Sequence, residues 1–169
     1  FGESNLHRVQ HMQRVRSLQD DSLEQGFDGF TSFIAWPVQL ENNSFGKRNR
    51  GQNRVELGAS AHEYLRHVAI SRLFFDNIPH IQASWPTMGM EVAQMALFAG
   101  ADDAGSTMME ENVVSASGTT KTLAGEDELQ WTILRAGFVP QKRDSDYRHL
   151  ETDVLNEGIL SCPPPLQPA

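Results

Sequence analysis

The chain has 169 residues, of which 39% are hydrophobic and 21% are charged, so it is long enough for one domain with an apolar core. Its 22 acidic and 14 basic residues give a formal charge of −8, which argues against nucleic acid and anionic membrane as partners. With no secretory segment and no apolar stretch long enough to cross a bilayer, the sequence predicts a cytoplasmic protein. Its single cysteine, Cys162, cannot by itself form an internal disulfide or hold a zinc ion or an iron–sulfur cluster.

The first part of the chain alternates helix and strand signals. Apolar residues at every third position predict a helix over 6–24 with a stripe made of Leu6, Val9, Met12, Val15 and Leu18. A nearly continuous apolar run predicts a strand over 30–38, of the kind that is buried on both faces of a parallel sheet. Segment 40–58 is rich in Asn, Gly and Arg and predicts a long loop, which in a compact domain is usually functional or disordered.

The second part continues the same alternation. The patterns predict a helix from Ser60 to near Pro79, a strand over 80–84, a helix from Pro86 to Gly100, a strand over 104–109, a loop over 110–125 and a helix over 126–137. This order is typical of right-handed parallel β/α units. Because a closed β/α barrel needs about eight strands, three strands require either more chain or a small open fold.

Four stretches of the sequence resemble one enzyme family. They are Phe1-Gly2-Glu3, the run Phe-Ile-Ala-Trp-Pro-Val-Gln at 33–39, the long run 80–119, and Gly-Phe-Val-Pro-Gln-Lys-Arg-Asp at 137–144. Together they are similar to the dehypoxanthine futalosine cyclases, also called cyclic dehypoxanthinyl futalosine synthases, of the radical S-adenosylmethionine superfamily. Aminofutalosine synthase and the deazaflavin-coenzyme enzymes are the related alternatives, and the Phe1-Gly2-Glu3 and 110–116 segments favour the cyclase.

The resemblance implies an α/β fold, namely the C-terminal portion of a parallel β/α barrel of TIM type. In that plan residues 1–3 are the tail of strand five, the three predicted strands are strands six, seven and eight, and a C-terminal helical extension follows. The partial barrel would span 1–147, and 148–169 would form a divergent, flexible tail. The implied partner is the missing N-terminal half-barrel.

The resemblance also implies S-adenosylmethionine and a 4Fe-4S cluster in the full-length protein. In such enzymes a Cys-x3-Cys-x2-Cys loop holds the cluster, and this chain has no such loop, so alone it is expected to be inactive. The expected activity converts dehypoxanthinyl futalosine to its cyclic form in menaquinone biosynthesis. A 5′-deoxyadenosyl radical abstracts a sugar hydrogen, and the resulting carbon radical adds to the aromatic ring. The alternative from another class is a noncatalytic binding or assembly remnant.

The resemblance matches four residues to the cofactor site. Glu3 takes the last position of a Gly-x-Ile-x-Gly-x-x-Glu pattern that supports the adenine, with a solvent-facing acid at a helix start as the alternative. Ala35, Trp36 and Pro37 lie where the backbone of strand six contacts the adenine. For Trp36, a position in the core is the alternative.

Polar residues near the predicted strand ends are candidates for substrate binding; they are Gln39, Asn43, His80, Gln82, Ser84 and Asn112. Alternation along a strand places His80, Gln82 and Ser84 on one side, which in a barrel is the interior. Hydrogen bonding to nearby loops is the alternative. Glu110 or Glu111 is a candidate base for the proton released on rearomatisation, because a closed pocket can raise a carboxylate pKa; a surface role is the alternative.

Two histidine patterns are discounted as metal sites. His62 and His67 are five residues apart and therefore do not share a helix face. His7 and His11 are four apart, but no third ligand is evident nearby. The sequence therefore predicts no metal ligands in this chain.

Overall fold

The computed structural model describes residues 1–40, 42–48, 51–107 and 123–154. Its elements in chain order are α1 (Asn5–Glu24), β1 (Ser32–Ile34), α2 (Ser44–Arg48), α3 (Ala61–Phe74), β2 (His80–Gln82), α4 (Trp85–Met88), α5 (Met90–Phe98) and α6 (Glu126–Arg135). Among these helices, none is long and apolar enough to span a membrane. The fold is mixed α/β, as predicted.

The sheet is small and parallel. Strand β1 pairs with β2 in parallel, with Ser32 opposite His80 and Ile34 opposite Gln82. On the other side of β2, Gln82 forms a single parallel bridge to Asp103. Three consecutive β segments therefore lie side by side in chain order with helices between them, which confirms the predicted parallel β/α arrangement.

Both outer strands are shorter than predicted. Strand β1 stops at Ile34 instead of continuing to residue 38, because its partner β2 gives way to α4 soon after Gln82. The predicted strand over 104–109 is wrong for its described part, 104–107, which forms no β pairing. The nearest β pairing is the bridge at Asp103, one residue earlier. Gly105 turns the chain there with a φ of +97°, a backbone conformation that favours glycine.

Two helices depart from the sequence prediction for local reasons. The helix predicted from Pro86 to Gly100 is divided into α4 and α5 by Gly89, whose φ of +83° interrupts the helical backbone. The predicted long loop contains α2, and the side-chain oxygen of Asn43, just before it, accepts a 2.8 Å hydrogen bond from the Gly46 backbone N–H.

Helix α1 does not carry the single apolar stripe that was predicted. Met12 is buried and Val15 is half-buried, but Leu6, Val9 and Leu18 are exposed. A step of three residues turns an α-helix by about 300°, so each successive residue moves about 60° around the axis. Five residues at this spacing wind around the helix, and only those in the middle of the series face the core.

Hydrogen bonds fix α1 at two places. At its start, the Ser4 hydroxyl and the His7 backbone N–H form one half of a capping box, and the His7 ring and the Ser4 N–H form the other. Near its end, the buried Gln19 donates from Nε2 to the Phe30 carbonyl at 3.1 Å and to the Asn77 carbonyl at 3.0 Å. Gln19 thus ties α1 to the segments that lead into β1 and β2.

The core lies between the sheet and helices α3, α5 and α6, which pack on one another in that order. Its largest fully buried apolar side chains are Trp85, Phe75, Met12, Ile78 and Ile81. Each contributes about 1.5–3 kcal/mol through removal of apolar surface from water. Strand β2 supplies Ile81 from its centre, so this strand is held by packing as well as by pairing.

The segment after α6 folds back onto His80, the first residue of β2, and onto Asp103, which lies opposite Gln82. The Tyr147 ring stacks on the ring of His80, the first residue of β2, with centroids 4.1 Å apart. Its hydroxyl donates to Asp103 Oδ2 at 2.6 Å, and Arg143 donates to the same oxygen from Nε at 2.9 Å and Nη2 at 2.5 Å. We call His80, Asp103, Arg143 and Tyr147 the amino-end cluster.

The charges of the amino-end cluster are paired within the chain. Asp103 is buried, and its other oxygen accepts a 2.7 Å hydrogen bond from the Gly105 N–H. Burial, followed by the hydrogen bond to Asp103, raises the pKa of Tyr147 to about 12. Tyr147 has a φ of +61°, which is costly for a residue with a side chain, so its contacts hold it there.

Residues 148–154 continue this packed segment. The Leu150 N–H donates to the Lys142 carbonyl, and Gln130 Nε2 donates to the Asp153 carbonyl at 3.0 Å. Between 136 and 154 the structure contains no helix, and a helical extension beyond that lies outside the described residues. The division at residue 147 into a partial barrel and a tail stays a prediction.

Candidate active site

A cavity of about 470 Å³ lies beside the carboxyl end of β1, between α1 and α3. We call it the edge cavity. Its lining includes all four residues that the resemblance matched to the cofactor site, together with two from α3: Glu3, Ala35, Trp36, Pro37, Tyr64 and His67. Segments that are far apart in the sequence therefore meet at one surface. Parallel α/β folds bind ligands at the carboxyl ends of their strands, which is the end of β1 where this cavity lies.

Glu3 forms part of a charge network at the cavity wall. Arg8 donates from Nε to Glu3 Oε1 at 3.0 Å, from Nη1 to Glu63 at 3.3 Å and from Nη2 to the Gly58 carbonyl at 2.8 Å. Partial burial acts to raise the pKa of Glu3, whereas hydrogen bonding and the charge of Arg8 act to lower it, and the net effect is a lowered pKa. The Glu3 carboxylate is therefore ionised at neutral pH.

The segment 35–37 forms an extended wall after β1. Trp36 is 55% exposed, so the indole is available to a ligand and does not take the core position that was the alternative. Ala35 packs partly against the core, and Pro37 has no backbone N–H to offer. The wall thus presents carbonyl oxygens and an aromatic face, which are suited to a planar heterocycle.

Three histidines that sequence analysis discounted as metal ligands line the same cavity: His7, His11 and His67. In the described part of the chain, no group of three or more His, Cys, Asp or Glu side chains is placed to hold a metal ion. His67 faces the Phe33 ring at a centroid distance of 6.1 Å. Burial, and then the charges of Arg8 and His11, lower the pKa of His67, so its ring is neutral near pH 7.

Tyr64 connects the cavity to the end of β2. Its hydroxyl accepts a 2.7 Å hydrogen bond from the Ser84 backbone N–H, and burial raises its pKa. The Ser84 hydroxyl in turn contacts the Thr87 hydroxyl at 2.7 Å, and both residues are buried. In the described chain Ser84 therefore serves the turn into α4, and its role in substrate binding stays a prediction.

Gln39 and Asn43 lie beyond the carboxyl end of β1. Gln39 Nε2 donates to the Pro37 carbonyl at 3.0 Å and to the Thr87 carbonyl at 3.3 Å. Asn43 Nδ2 donates to the Gln39 carbonyl at 2.8 Å. These bonds join the segments that follow β1 and β2, so Gln39 and Asn43 lie at the expected edge of the sheet.

His80 and Gln82 are placed at other levels of β2. His80 begins the strand and belongs to the amino-end cluster, where its Nδ1 is 2.7 Å from Asp102 Oδ2. Gln82 ends the strand, with its Nε2 near Gly105. The structure thus separates His80 from the edge cavity by the length of the strand. Both assignments to substrate stay predictions.

The candidate base and one candidate substrate ligand, Glu110, Glu111 and Asn112, lie outside the described residues. A residue that sequence analysis overlooked is Arg54, which reaches the same edge of the sheet from the predicted loop. In the sequence, Arg54 stands alone between Asn53 and Val55. No motif or spacing distinguishes it from the basic residues at 47–50.

The edge cavity fits a nucleoside-sized group, since ligand pockets of this kind have volumes of roughly 300–1,000 Å³. It offers an ionised carboxylate, an aromatic face and a neutral imidazole. The chain does not fit an iron–sulfur cluster, because its single cysteine cannot supply three thiolates and lies outside the described residues.

The family model described as the CofH/MqnC C-terminal region matches residues 27–155. A cyclic dehypoxanthine futalosine synthase of Halalkalibacterium halodurans is 45% identical over 152 residues, covering 90% of this chain and 37% of the relative. The enzyme of the same name from Streptomyces coelicolor is 43% identical over 166 residues, covering 95% of the chain and 38% of the relative.

An aminodeoxyfutalosine synthase of Thermus thermophilus is 37% identical over 144 residues, covering 85% of the chain and 36% of the relative. The chain thus spans between a third and two fifths of the length of these curated relatives. The resemblance seen in the sequence is confirmed, and the two cyclic dehypoxanthine futalosine synthases are more similar to the chain than is this enzyme of the alternative name.

Proposed function

Because the chain belongs to the family described as the CofH/MqnC C-terminal region, we propose that the full-length protein is a radical S-adenosylmethionine cyclase. It converts dehypoxanthinyl futalosine to cyclic dehypoxanthinyl futalosine in the futalosine route to menaquinone. Identities of 45% and 43% to two cyclic dehypoxanthine futalosine synthases support this activity over that of the related synthase at 37%.

The observation that carries the proposal is the edge cavity. Glu3 and the segment 35–37, which the family resemblance matches to a cofactor site, line the same cavity. Because α1 runs antiparallel to β1, Glu3 before the helix and the segment 35–37 after the strand lie at the same end of the sheet. Their meeting supports a site for the adenosyl part of S-adenosylmethionine.

When bound, S-adenosylmethionine supplies the means to abstract a hydrogen atom from the substrate. The chain's own residues bind and orient it. The ionised Glu3 accepts hydrogen bonds from ligand N–H or O–H groups, the carbonyls of Ala35 and Trp36 accept others, and the Trp36 indole covers a planar ring. Gln39 and Asn43 position the adjoining rim, and Glu110 or Glu111 accepts the proton released on rearomatisation.

The cluster and the rest of the barrel belong to the N-terminal half-barrel in this proposal. Strand β1 has β2 on one side, and in the described residues nothing pairs with its other edge. On α1, Leu6 is 63% exposed and Leu18 is 51% exposed, which is apolar surface that a preceding half-barrel would cover. Residues 1–3 are then the tail of strand five, and β1, β2 and the segment at Asp103 belong to strands six, seven and eight.

The test uses the full-length protein, reconstituted with iron and sulfide without oxygen. We expect it to convert dehypoxanthinyl futalosine to the cyclic product in the presence of S-adenosylmethionine and a reductant, with product identity established by mass spectrometry and NMR. Release of 5′-deoxyadenosine without cyclic product, or formation of aminofutalosine from its own precursors, would contradict the proposal.

A variant tests the site itself. Glu3→Gln is expected to weaken binding of S-adenosylmethionine by roughly tenfold or more, because a hydrogen bond to a charged group contributes about 1.5–3 kcal/mol. The exposed Glu151→Gln is the matched control and should bind as the unmodified protein does. Melting temperatures of both variants separate a binding effect from loss of the Arg8 network.

A further inference from the structure

One arginine differs from the other arginines that are partly buried. In the described part of the chain these are Arg8, Arg16, Arg54, Arg72 and Arg143. Four of them pair with a carboxylate: Arg8 with Glu3 and Glu63, Arg16 with Asp76, Arg72 with Asp102 and Arg143 with Asp103. Arg54 forms no ion pair with any described residue.

The contacts of Arg54 leave part of its guanidinium without a partner among the described residues. Nη2 donates to the Thr87 carbonyl at 3.2 Å and lies 3.3 Å from the Met88 sulfur. Nε is buried and has no hydrogen-bond partner. Nη1 makes no hydrogen bond to the described residues either. Of the five N–H groups of Arg54, only one donates a hydrogen bond to an oxygen of a described residue.

The position of Arg54 is at the edge where a ligand is expected. It comes from the connection between β1 and α3, and it contacts the end of α4, which directly follows β2. The Thr87 carbonyl that it contacts also accepts from Gln39, a predicted substrate ligand. Arg54 therefore lies past the carboxyl ends of both strands.

Removing a guanidinium from water without a counter-charge is unfavourable. A charge held partly away from water is unfavourable unless it is paired and hydrogen-bonded, and arginine cannot lose its proton to avoid this cost. The remaining partly buried arginines obey the rule within the chain. A counter-charge for Arg54 would therefore have to come from outside the described residues.

We propose that Arg54 binds an oxyanion, a carboxylate or a phosphate, carried by the small-molecule ligand at the carboxyl ends of β1 and β2. The proposal rests on the proposed function, which places the ligand site at this edge, and it adds the residue that recognises the ligand's negative charge. The planar fork of arginine is suited to this task because it donates two parallel hydrogen bonds to one oxyanion.

The experiment uses the full-length protein with Arg54→Gln, Arg54→Lys and the control Arg135→Gln, which alters an exposed arginine on α6. Binding of S-adenosylmethionine and of dehypoxanthinyl futalosine is measured separately by calorimetry. We expect Arg54→Gln to weaken one of the two by about 10- to 100-fold, as for loss of a charged hydrogen bond. Arg54→Lys should recover part of the affinity, and Arg135→Gln should change neither ligand by more than about twofold.

The alternative source of the counter-charge is a carboxylate side chain of the same protein. In that case both ligands bind Arg54→Gln as tightly as the unmodified protein, while its melting temperature falls, and the proposal is overturned. Unchanged affinities with an unchanged melting temperature overturn it as well.

A second measurement keeps the inference separate from the proposed function. If the unmodified protein binds neither ligand, the cyclase assignment fails, and sodium acetate and inorganic phosphate serve as probes. A rise in melting temperature over sodium chloride at matched ionic strength, lost in Arg54→Gln and kept in Arg135→Gln, supports an oxyanion site. Absence of such a rise in the unmodified protein overturns it.

Discussion

The amino-end cluster and the carboxyl ends of the strands differ in whether their charged side chains are paired within the chain. In the amino-end cluster, Asp103 accepts from Arg143, Tyr147 and a backbone N–H, so a buried carboxylate has its partners inside the chain. At the carboxyl end, Glu3 is paired with Arg8 beside the edge cavity, whereas Arg54 has no counter-charge among the described residues.

This difference separates stability from binding. A buried charge whose partners all lie within the chain holds elements of the fold together. A charged side chain without such partners, such as Arg54, is available to a ligand. The same division between the two ends of the strands is general in β/α folds. The comparison predicts that changes at the amino end lower stability and that changes at the carboxyl end lower ligand affinity.

The largest expected effect is on the amino-end cluster. Asp103→Asn leaves Arg143 buried without its counter-charge, so we expect a loss of about 3–5 kcal/mol in the free energy of unfolding of the full-length protein. Urea denaturation measures it. The control is Asp146→Asn, which removes an exposed pair with Arg148 and should cost less than about 0.5 kcal/mol. Equal effects of the two variants would mean that the cluster is not a stabilising unit.

The second prediction concerns the carboxyl end. Trp36→Ala removes a side chain that is 55% exposed, so the free energy of unfolding should change by no more than about 0.5 kcal/mol. Affinity for S-adenosylmethionine should fall roughly tenfold through loss of an aromatic contact. Phe98→Ala, at another exposed aromatic residue, is the control and should not affect binding. A large loss of stability in Trp36→Ala would assign Trp36 to packing instead.

The third prediction is a pH dependence at the amino end. The pKa of Tyr147 is raised in the folded state from 10.0 to about 12, so its neutral form stabilises the fold. That contribution is complete below pH 10 and is lost as the pH rises from about 10 towards 12. Melting temperatures across this range should fall less steeply in Tyr147→Phe than in the unmodified protein. Parallel curves would show that Tyr147 titrates normally.

The smallest effect is expected at His67, in the edge cavity. Its pKa is lowered in the folded state by burial and by the charges of Arg8 and His11, with Glu3 acting in the opposite direction. The neutral ring therefore contributes stability above the ordinary histidine pKa of 6.5, and this is lost as the pH falls below it. His67→Gln should reduce the fall in melting temperature between neutral and mildly acid pH, while the exposed His62→Gln should not.

The sequence predicted the helices that begin at a capping residue or with a group of acidic residues. Ser60 caps α3 and the acidic residues from Glu126 begin α6, as expected from the sequence. Strand lengths were not predictable in the same way. The apolar run after Ile34 had the composition of a strand, but pairing needs a neighbour of equal length, and β2 ends at Gln82.

The site was predictable only in part for the same reason. Glu3 and the segment 35–37 were found through their resemblance to a family motif, and the cavity they share was not visible in the chain. Arg54 was missed because an unpaired arginine is recognised only when the partners of the others are known. The role of Asp103 was missed because three of its bonds come from residues 40 and 44 positions later in the chain.

By itself the sequence determined the starts of α3 and α6, the parallel β/α order and the family, because caps, periodicity and long motifs are carried by neighbouring residues. Only the tertiary structure decided which charged side chains are paired within the described chain and which are not. It pairs Asp103 with Arg143 at one end of the strands and leaves Arg54 unpaired among the described residues at the other. The reason is that electrostatic pairing depends on distance in space. Residues that are far apart in the chain come close together only when the strands align.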